Sequence, residues 1–414
     1  MHLSSDETAL LTRDDAVGLA ARLVVDTGRL LGADRLIAID SAHIDGCLLH
    51  GESGVLFAEH LVGLGGRVAV PATLNVGALD LIHADVVRTD STTRAWGLRM
   101  ARAYEALGCA ATWTCAPYQV GHRPGFGRHV AWGESNAVAF ANSVLGARTN
   151  RYGDLLDIAA ALCGRAPHVG LHVTANRRAR VAVDLSGLPG RLLDDDTAWP
   201  VLGAWIGDQV GGDVPVLLQA PAAVPEDRLK ALGAAMASTG AVGLFHIVGV
   251  TPEAPDLATA TQGEPVAQTL APDLILLRAM RDRLTQATGD TVDAVAIGSP
   301  HLSIDEVASL VRALAGRRVR LPVYACTNRH VMNQLQAAGT VAVLQAAGVT
   351  LVVDTCVVVT HILPGASGVL MTNSAKFAHY ALPNAGHQAV YGSLADCVET
   401  AVAGRLARDE TLWQ

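Results

Sequence analysis

The chain contains 414 residues, which is long for one compact core and predicts two or three packed lobes. Half of the residues are hydrophobic but only 17% are charged and 4% aromatic, a composition typical of a large α/β enzyme and not of a structural protein with little interior. The net charge of -8, without a basic run, argues against nucleic-acid binding.

The N-terminal segment and the apolar runs give no sign of export or membrane insertion. No apolar run reaches the roughly 18 to 20 residues that span a bilayer, and the N-terminus carries acids where a signal peptide needs cations. We therefore expect a cytoplasmic protein that does not bind membranes. The seven cysteines are odd in number and irregularly spaced, which predicts reduced thiols, some of them metal ligands, and not a disulfide framework.

Helical spacing and short apolar runs alternate along the chain, as in parallel α/β proteins. Helices are predicted at 14–31 and 54–64. Strands are predicted at 35–40, 67–70, 214–218, 242–250, 292–297, 319–325 and 351–354. Segments 187–219 and 251–270 are rich in Pro, Gly and Asp and are predicted lobe boundaries. The predicted fold is α/β, with parallel or mixed sheets flanked by helices.

Three cysteines follow strand-like runs: Cys115 after 111–114, Cys326 after 319–325 and Cys356 after 351–355. A single buried cysteine is more often a small core hydrophobe than a ligand. Three in the same context favour metal binding, because thiolates suit iron-sulfur clusters and zinc, and three ligands leave one metal position open for a substrate. The chain has no GxxxxGK[ST] loop, strand-borne GxGxxG or CxxC pair, so nucleotide cofactors are not indicated.

Several long motifs resemble the large catalytic portion of aconitase X. The matching segments are SAHIDGCLLHG, VPATLNVGALDL, TWTCAPYQVGHRPGFGRHVAWGESNAVAFANSVLGARTNRYGD, GRAPHVGLH, FHIVGVTPEAP, VYACTNR, DTC and MTNSAKFAHYA. The resemblance extends over almost the whole chain and implies an aconitase-like, multi-lobed architecture. It also implies a hydro-lyase that depends on an iron-sulfur cluster, of the bacterial type that dehydrates cis-3-hydroxy-L-proline to 1-pyrroline-2-carboxylate.

The resemblance also implies which residues hold the cofactor. The expected cluster ligands are Cys115, Cys326 and Cys356. The cluster is of the 2Fe-2S type or of the 3Fe-4S or 4Fe-4S type, and the chemistry expected of it is Lewis acidity without electron transfer. Relatives vary around Cys326, so Cys109 and Cys47 are kept as alternative ligands.

The other candidate site residues are polar side chains, some near predicted strand ends and others, such as Glu134, in apolar surroundings where a charge is costly unless it is paired or functional. The candidate catalytic residues are Glu134, His172 and Lys376. The candidate substrate-binding residues are Ser41, His43, Thr73, Asn75, Ser135, Asn136, Arg148 and Ser374. Arg148 is proposed as a clamp for the substrate carboxylate, because guanidinium binds carboxylates in a bidentate manner. Structural alternatives remain open, namely capping for His43, Thr73 and Asn75 and a packing role for His172 and Lys376. The arginine run Arg177, Arg178 and Arg180 is predicted to be a solvated turn.

In the aconitase superfamily a small swivelling domain supplies the proton-abstracting serine, and in aconitase X that domain is either fused or a separate subunit. No segment of this chain is long enough for it, so the sequence predicts a small partner subunit in trans. Two other functions stay open. One is a dehydratase of another hydroxy acid such as mevalonate 5-phosphate, and the other is a non-catalytic iron-sulfur regulatory or binding subunit.

Overall fold

A computed structural model describes all 414 residues of the chain. The chain forms two compact units. The first comprises Met1–Leu79, Thr89–Arg178 and Thr251–Glu253, and the second comprises Asp80–Arg88, Ala179–Val250 and Ala254–Gln414. None of the helices has the length and apolar character needed to cross a membrane.

The first unit combines six helices with two small sheets. The helices are α1 Ser5–Leu11, α2 Ala16–Leu30, α3 Glu52–Gly63, α4 Ser91–Ala106, α5 Ser135–Ser143 and α6 Leu156–Cys163. The strands are β1 Leu36–Ala38, β2 Ala42–Ile44, β3 Ala72–Leu74, β4 Ala131–Trp132 and β5 Arg165–Pro167. β1 and β5 form an antiparallel pair, whereas β3, β2 and β4 form a parallel sheet in that order.

Helix α2 shows how local sequence determines an element of this unit. The carboxylate of Asp15 accepts a hydrogen bond from the backbone N–H of Gly18 and so caps the helix N-terminus. Small and β-branched residues on one side, including Ala20, Val24 and Val25, are buried. The helix predicted at 14–31 is therefore confirmed to within two residues at its start and one at its end.

The second unit contains two larger parallel sheets. Its helices are α7 Gly190–Leu193, α8 Ala198–Val210, α9 Glu226–Thr239, α10 Leu257–Ala260, α11 Leu274–Arg283, α12 Ile304–Leu314, α13 Arg329–Ala337, α14 Thr340–Ala347, α15 Ala375–Ala385 and α16 Leu394–Ala403. Its strands are β6 Val181–Asp184, β7 Pro215–Leu218, β8 His246–Ile247, β9 Gln268–Leu270, β10 Ala294–Leu302, β11 Val323–Thr327, β12 Val349–Val353, β13 Gly368–Thr372 and β14 His387–Tyr391. The sheet orders are β8-β7-β6-β9 and β12-β11-β10-β13-β14.

The five-stranded sheet of the second unit is apolar, as strands covered on both faces require. All nine residues of β10 and all five of β11 are buried. Helices α12, α13, α14 and α16 supply apolar side chains to the same core. The predicted fold class, α/β with parallel sheets flanked by helices, is confirmed.

Two predicted strand-like runs of the first unit are absent. Segment 67–70 is partly exposed, and its backbone N–H groups at Val68 and Ala69 donate to the carbonyls of Leu107 and Ala161 and not to a neighbouring strand. Segment 111–114 is also not a strand, because Trp113 has a φ of 44°, outside the β region. Cys115 therefore follows an irregular segment and not a strand.

Candidate functional site

The carboxyl edge of the three-stranded sheet in the first unit holds several of the candidate residues. β2 ends at Ile44, β3 at Leu74 and β4 at Trp132. Because the three strands are parallel, the residues that follow them meet at one edge. Asp45, Asn75 and Glu134 occupy these positions, and Asp45 is the one that the sequence analysis missed.

A chain of hydrogen bonds joins three candidate residues through one histidine that the sequence analysis did not select. The hydroxyl of Ser41 lies 2.8 Å from Nε2 of His122. Nδ1 of His122 lies 2.7 Å from the hydroxyl of Thr73, and that hydroxyl lies 2.8 Å from Nδ1 of His43. The structure therefore brings Ser41, Thr73 and His43 together, with His122 as the link.

The two histidines in this series of hydrogen bonds, His43 and His122, are held neutral. Burial, with the nearby His122, lowers the pKa of His43 well below its ordinary value. Burial lowers the pKa of His122 to about 4. Nε2 of His43 is buried and has no hydrogen-bond partner. The two imidazoles and two hydroxyls therefore form a hydrogen-bonded series of uncharged groups.

Next to this series of hydrogen bonds lies a group of carboxyl side chains. Nδ2 of Asn75 donates to Oδ1 of Asp45. Burial, followed by repulsion from Glu134 and Asp157, raises the pKa of Asp45 to about 8. Burial raises the pKa of Asp157 to about 6, although its carboxylate accepts from the backbone N–H groups of Asp45 and Gly46. Burial and mutual repulsion therefore disfavour the ionised form of these carboxyl groups, and a cation placed among them would favour it.

Glu134, Ser135 and Asn136 begin helix α5. Glu134 caps the helix, because its Oε2 accepts from the backbone N–H of Ala137 at 2.6 Å, and the hydroxyl of Ser135 lies 3.3 Å from Oε1. Asn136 is almost fully buried, and its Nδ2 donates to the carbonyl of Cys115 at 2.9 Å. Asn136 therefore fixes the backbone of Cys115, and contact of these three side chains with a substrate stays a prediction.

His172 lies in a separate buried cluster of the first unit. Its Nδ1 lies 3.0 Å from Nδ1 of His129, and its Nε2 lies 2.5 Å from the hydroxyl of Tyr152. Burial, together with His129 and Arg177, lowers the pKa of His172 to about 3. Both ring nitrogens are therefore occupied by protein groups, and a direct proton transfer to a substrate would first have to displace one of them.

Arg148 borders this cluster and is partly exposed. Its Nη1 donates to the carbonyl of His172 at 3.2 Å and to the hydroxyl of Thr174 at 2.7 Å. Its Nε and Nη2 donate to no protein group. One edge of the guanidinium thus holds the arginine in place, while the other edge presents the two parallel N–H groups that a carboxylate binds.

Arg177 is buried, with 1% of its surface exposed, so the prediction of a solvated turn is wrong for this residue. Its guanidinium forms a bidentate ion pair with Glu253 and donates to the carbonyls of Asn142, Ala147 and Leu171. An arginine becomes favourable inside a protein when its donors are satisfied in this way. Arg178 is half-buried and Arg180 is exposed.

In the second unit, two candidate ligands lie at the carboxyl edge of the five-stranded sheet. Cys326 is the penultimate residue of β11, and Cys356 follows the end of the neighbouring parallel strand β12. Both thiols are buried. Gly298 lies against β11 so closely that a Cβ there would lie 2.2 Å from the carbonyl oxygen of Cys326, so this position requires glycine.

Ser374 and Lys376 line a cavity of about 480 Å³ in the second unit, together with Ser299 and Asn373. Ser374 caps helix α15 by accepting from the N–H of Phe377 at 3.0 Å, and its hydroxyl donates to the carbonyl of Ser299. The structure therefore brings these two candidate residues to one cavity, and their contact with a substrate stays a prediction.

The other four cysteines behave as core thiols. Burial raises the pKa of Cys109 to about 12 and that of Cys163 to about 11. Burial also raises the pKa of Cys47 and Cys397 well above the ordinary thiol value. Because a metal ligand must be a thiolate, these environments make the four side chains poorer ligands.

The donor chemistry of the second unit fits an iron-sulfur cluster. Cys326 and Cys356 offer two buried sulfur atoms at adjacent strand ends, and such clusters are held by cysteine thiolates. No three His, Cys, Asp or Glu side chains are arranged as a ready metal site. The complete ligand set thus stays a prediction.

Comparison with protein families gives three matches that together extend over most of the chain. Models of the first, second and third domains of aconitase X match residues 1–175, 178–278 and 292–403. Among solved structures, the holo-form of Thermococcus kodakaraensis aconitase X is 31% identical, with a TM-score of 0.86. The match covers 97% of this chain and 100% of that chain.

Curated relatives fall into two groups. Cis-3-hydroxy-L-proline dehydratase of Pseudomonas aeruginosa is 42% identical, with 99% of this chain and 72% of the relative covered. The Hypocrea jecorina protein of the same name is 37% identical, with 98% and 69% covered. The phosphomevalonate dehydratase large subunit of Methanothermobacter thermautotrophicus is 36% identical, with 91% and 92% covered.

Proposed function

The chain belongs to the aconitase X family, and we propose that it is a hydro-lyase that converts cis-3-hydroxy-L-proline to 1-pyrroline-2-carboxylate. The observation that carries this proposal is the 42% identity to a hydroxyproline dehydratase along 99% of the chain. The reaction removes the proton from C2 and expels hydroxide from C3. The resulting enamine then tautomerises to the imine.

The free guanidinium edge of Arg148 supports a role for this residue in binding the substrate carboxylate. Bidentate binding fixes the orientation of the ring, so that the C2 proton and the C3 hydroxyl keep defined directions. The buried chain from Ser41 to His43 supports a second role, because its hydroxyl and imidazole groups can exchange a proton without carrying charge. Lys376 and Ser374 are proposed as further substrate or proton-transfer groups beside the cavity of the second unit.

We propose Cys115, Cys326 and Cys356 as the ligands of an iron-sulfur cluster. When bound, such a cluster supplies Lewis acidity toward the departing hydroxyl group. The match of their motifs to aconitase X and the adjacent strand-end positions of Cys326 and Cys356 support this choice of ligands. The contact between Asn136 and the carbonyl of Cys115 gives that backbone a fixed position.

A small partner subunit completes the proposed enzyme. Several relatives are named large subunits, and this chain matches them over 92% or more of their length. Those names support a small partner of about 130 to 150 residues, the size of an ordinary small domain, that carries the proton-abstracting serine.

The test is turnover after anaerobic reconstitution with iron and sulfide, with and without the small subunit. We expect dehydration of cis-3-hydroxy-L-proline but not of the trans isomer, and only when both chains are present. Full turnover by this chain alone would remove the need for a partner. A protein that carries the cluster yet dehydrates no hydroxy acid with its partner present would instead be a non-catalytic binding or regulatory subunit.

A further inference from the structure

Two hydrogen-bond acceptors at the carboxyl edge of the three-stranded sheet, the carboxyl group of Asp45 and Oδ1 of Asn75, are not saturated by donors of the protein. Asn75 is 2% exposed, and its Nδ2 donates to Oδ1 of Asp45. The other end of this amide, Oδ1, has no hydrogen-bond partner. Asp45 is partly exposed, and Asn75 is the side chain that donates to its carboxyl group. A buried acceptor without a donor is costly, so a ligand that donates there gains affinity.

The charged groups around Asp45 determine whether a positively or a negatively charged ligand is favoured there. The charged groups that act on its carboxyl are Glu134, Asp157 and Asp154, all of them acids. Gly133 keeps these side chains close, since a Cβ at this position would lie 2.6 Å from Cβ of Asp45 and 2.8 Å from Oδ2 of Asp157. A cation is therefore favoured at this point and a phosphate is repelled.

The arrangement of the acceptors selects the class of cation. No three carboxyl, thiol or imidazole groups are arranged to hold a metal ion. A secondary ammonium, in contrast, carries two N–H donors at a fixed angle and needs only two acceptors. The carboxyl group of Asp45 and Oδ1 of Asn75 lie on side chains that hydrogen-bond each other, and they are the two acceptors offered here.

We propose that Asp45 and Asn75 bind the ring ammonium of the amino-acid substrate, one N–H to the carboxylate and the other to the amide oxygen. This inference rests on the proposed function and adds the residues that distinguish a cyclic amino acid from a phosphorylated hydroxy acid. The ammonium also offsets the repulsion among the neighbouring carboxyl groups, which a substrate without a positive charge does not.

The test compares two ring acids that differ in one atom. L-proline carries the ammonium, and tetrahydrofuran-2-carboxylate carries an oxygen in its place. Both are measured as inhibitors, and by equilibrium binding, with the reconstituted two-chain protein. The variants are Asp45→Asn, Asp45→Glu and Asn75→Ser. The matched control is Asp26→Asn, which removes an exposed acid of the same unit that is paired with Arg29 and does not act on Asp45. Thermal unfolding is recorded for every variant.

Asp45→Asn is expected to weaken L-proline binding and raise KM for hydroxyproline by roughly tenfold to a hundredfold, as expected for one charge-assisted hydrogen bond. Binding of the oxygen analogue should change less than about threefold, and Asp45→Glu should recover part of the loss. Equal effects on both analogues, or an unchanged preference for L-proline in a folded Asp45→Asn protein, would overturn the inference. The inference is also overturned if the wild-type protein binds neither L-proline nor the oxygen analogue.

The proposed function and the ammonium site can fail separately. If wild type does not dehydrate hydroxyproline but prefers L-proline to the oxygen analogue, and Asp45→Asn loses that preference, the site stands and the proposed reaction is wrong. If wild type dehydrates hydroxyproline while Asp45→Asn keeps the preference, the reaction stands and the site is wrong.

Discussion

The hydroxyl of Thr73 lies 2.8 Å from Nδ1 of His43, a histidine with no exposed surface. The same hydroxyl lies 2.7 Å from Nδ1 of His122, so it is hydrogen-bonded between the two rings. Thr73 therefore keeps two neutral imidazoles hydrogen-bonded in a poorly hydrated environment.

Replacement of Thr73 by valine keeps the shape and removes both contacts. We expect a loss of about 1 to 3 kcal/mol in the free energy of unfolding for each imidazole nitrogen left without a partner. Urea denaturation measures it, and Thr73→Ser, which retains the hydroxyl, is the control. A Thr73→Val protein as stable as wild type would show that the two contacts do not stabilise the fold.

The free edge of Arg148 predicts a binding defect. Arg148→Lys keeps the charge but loses the paired N–H groups, so KM for the substrate should rise by about tenfold or more, with a smaller change in kcat. The exposed Arg128, which pairs with Asp40 nearby, provides the control Arg128→Lys with unchanged KM. If both variants keep the wild-type KM, Arg148 does not bind the carboxylate.

The assignment of cluster ligands predicts which cysteines bind iron. After anaerobic reconstitution, Cys115→Ser, Cys326→Ser and Cys356→Ser should each lose most of the iron and the visible absorption of the cluster. Cys397→Ala, at a thiol that burial keeps protonated, should retain both. Cys109→Ser and Cys47→Ser complete the series. If one of these variants loses the iron while Cys326→Ser keeps it, the third ligand is that cysteine and not Cys326.

The buried His172 predicts a pH-dependent stability. The pKa of His172 is about 3 in the folded chain, whereas the ordinary histidine value is 6.5. At a pH between these two values, the unfolded chain therefore binds a proton at this residue that the folded chain does not. Stability is therefore fully present above about pH 6.5 and falls as the pH decreases toward 3.

His172→Gln removes this dependence, so its unfolding free energy should fall less steeply between pH 6 and 5, by up to about 1.4 kcal/mol per pH unit. Urea denaturation at both pH values measures the slope. His60→Gln, an exposed position on α3, is the control and should follow wild type. Identical slopes for His172→Gln and wild type would contradict the neutral, buried state of His172.

The strand ends were the most predictable part of the candidate site. Apolar runs indicated β11 and β12, and the carboxyl ends of parallel strands share an edge, so Cys326 and Cys356 could be located from sequence. Asn75 was expected to follow a strand at 67–70 and instead follows β3, whereas Glu134 was indicated by the cost of a carboxylate in apolar surroundings. The strand-end rule would also have indicated Asp45, which directly follows β2 in the SAHIDG motif.

Contacts between distant segments could not be predicted in the same way. His122 meets Ser41 and Thr73 from a loop with no periodic pattern, and side-chain packing alone brings them together. Arg177 resembled a solvated residue in an arginine run, but its partner Glu253 lies 76 residues further along the chain. Hydrophobic periodicity reports which face of an element is buried and not which polar groups meet across elements.

The most direct measurement is a competition experiment followed by proton NMR. The reconstituted chain and its small subunit receive equal concentrations of cis-3-hydroxy-L-proline and mevalonate 5-phosphate. We expect hydroxyproline to be consumed, 1-pyrroline-2-carboxylate to appear and mevalonate 5-phosphate to remain unchanged. Loss of mevalonate 5-phosphate with hydroxyproline intact would contradict the proposed function.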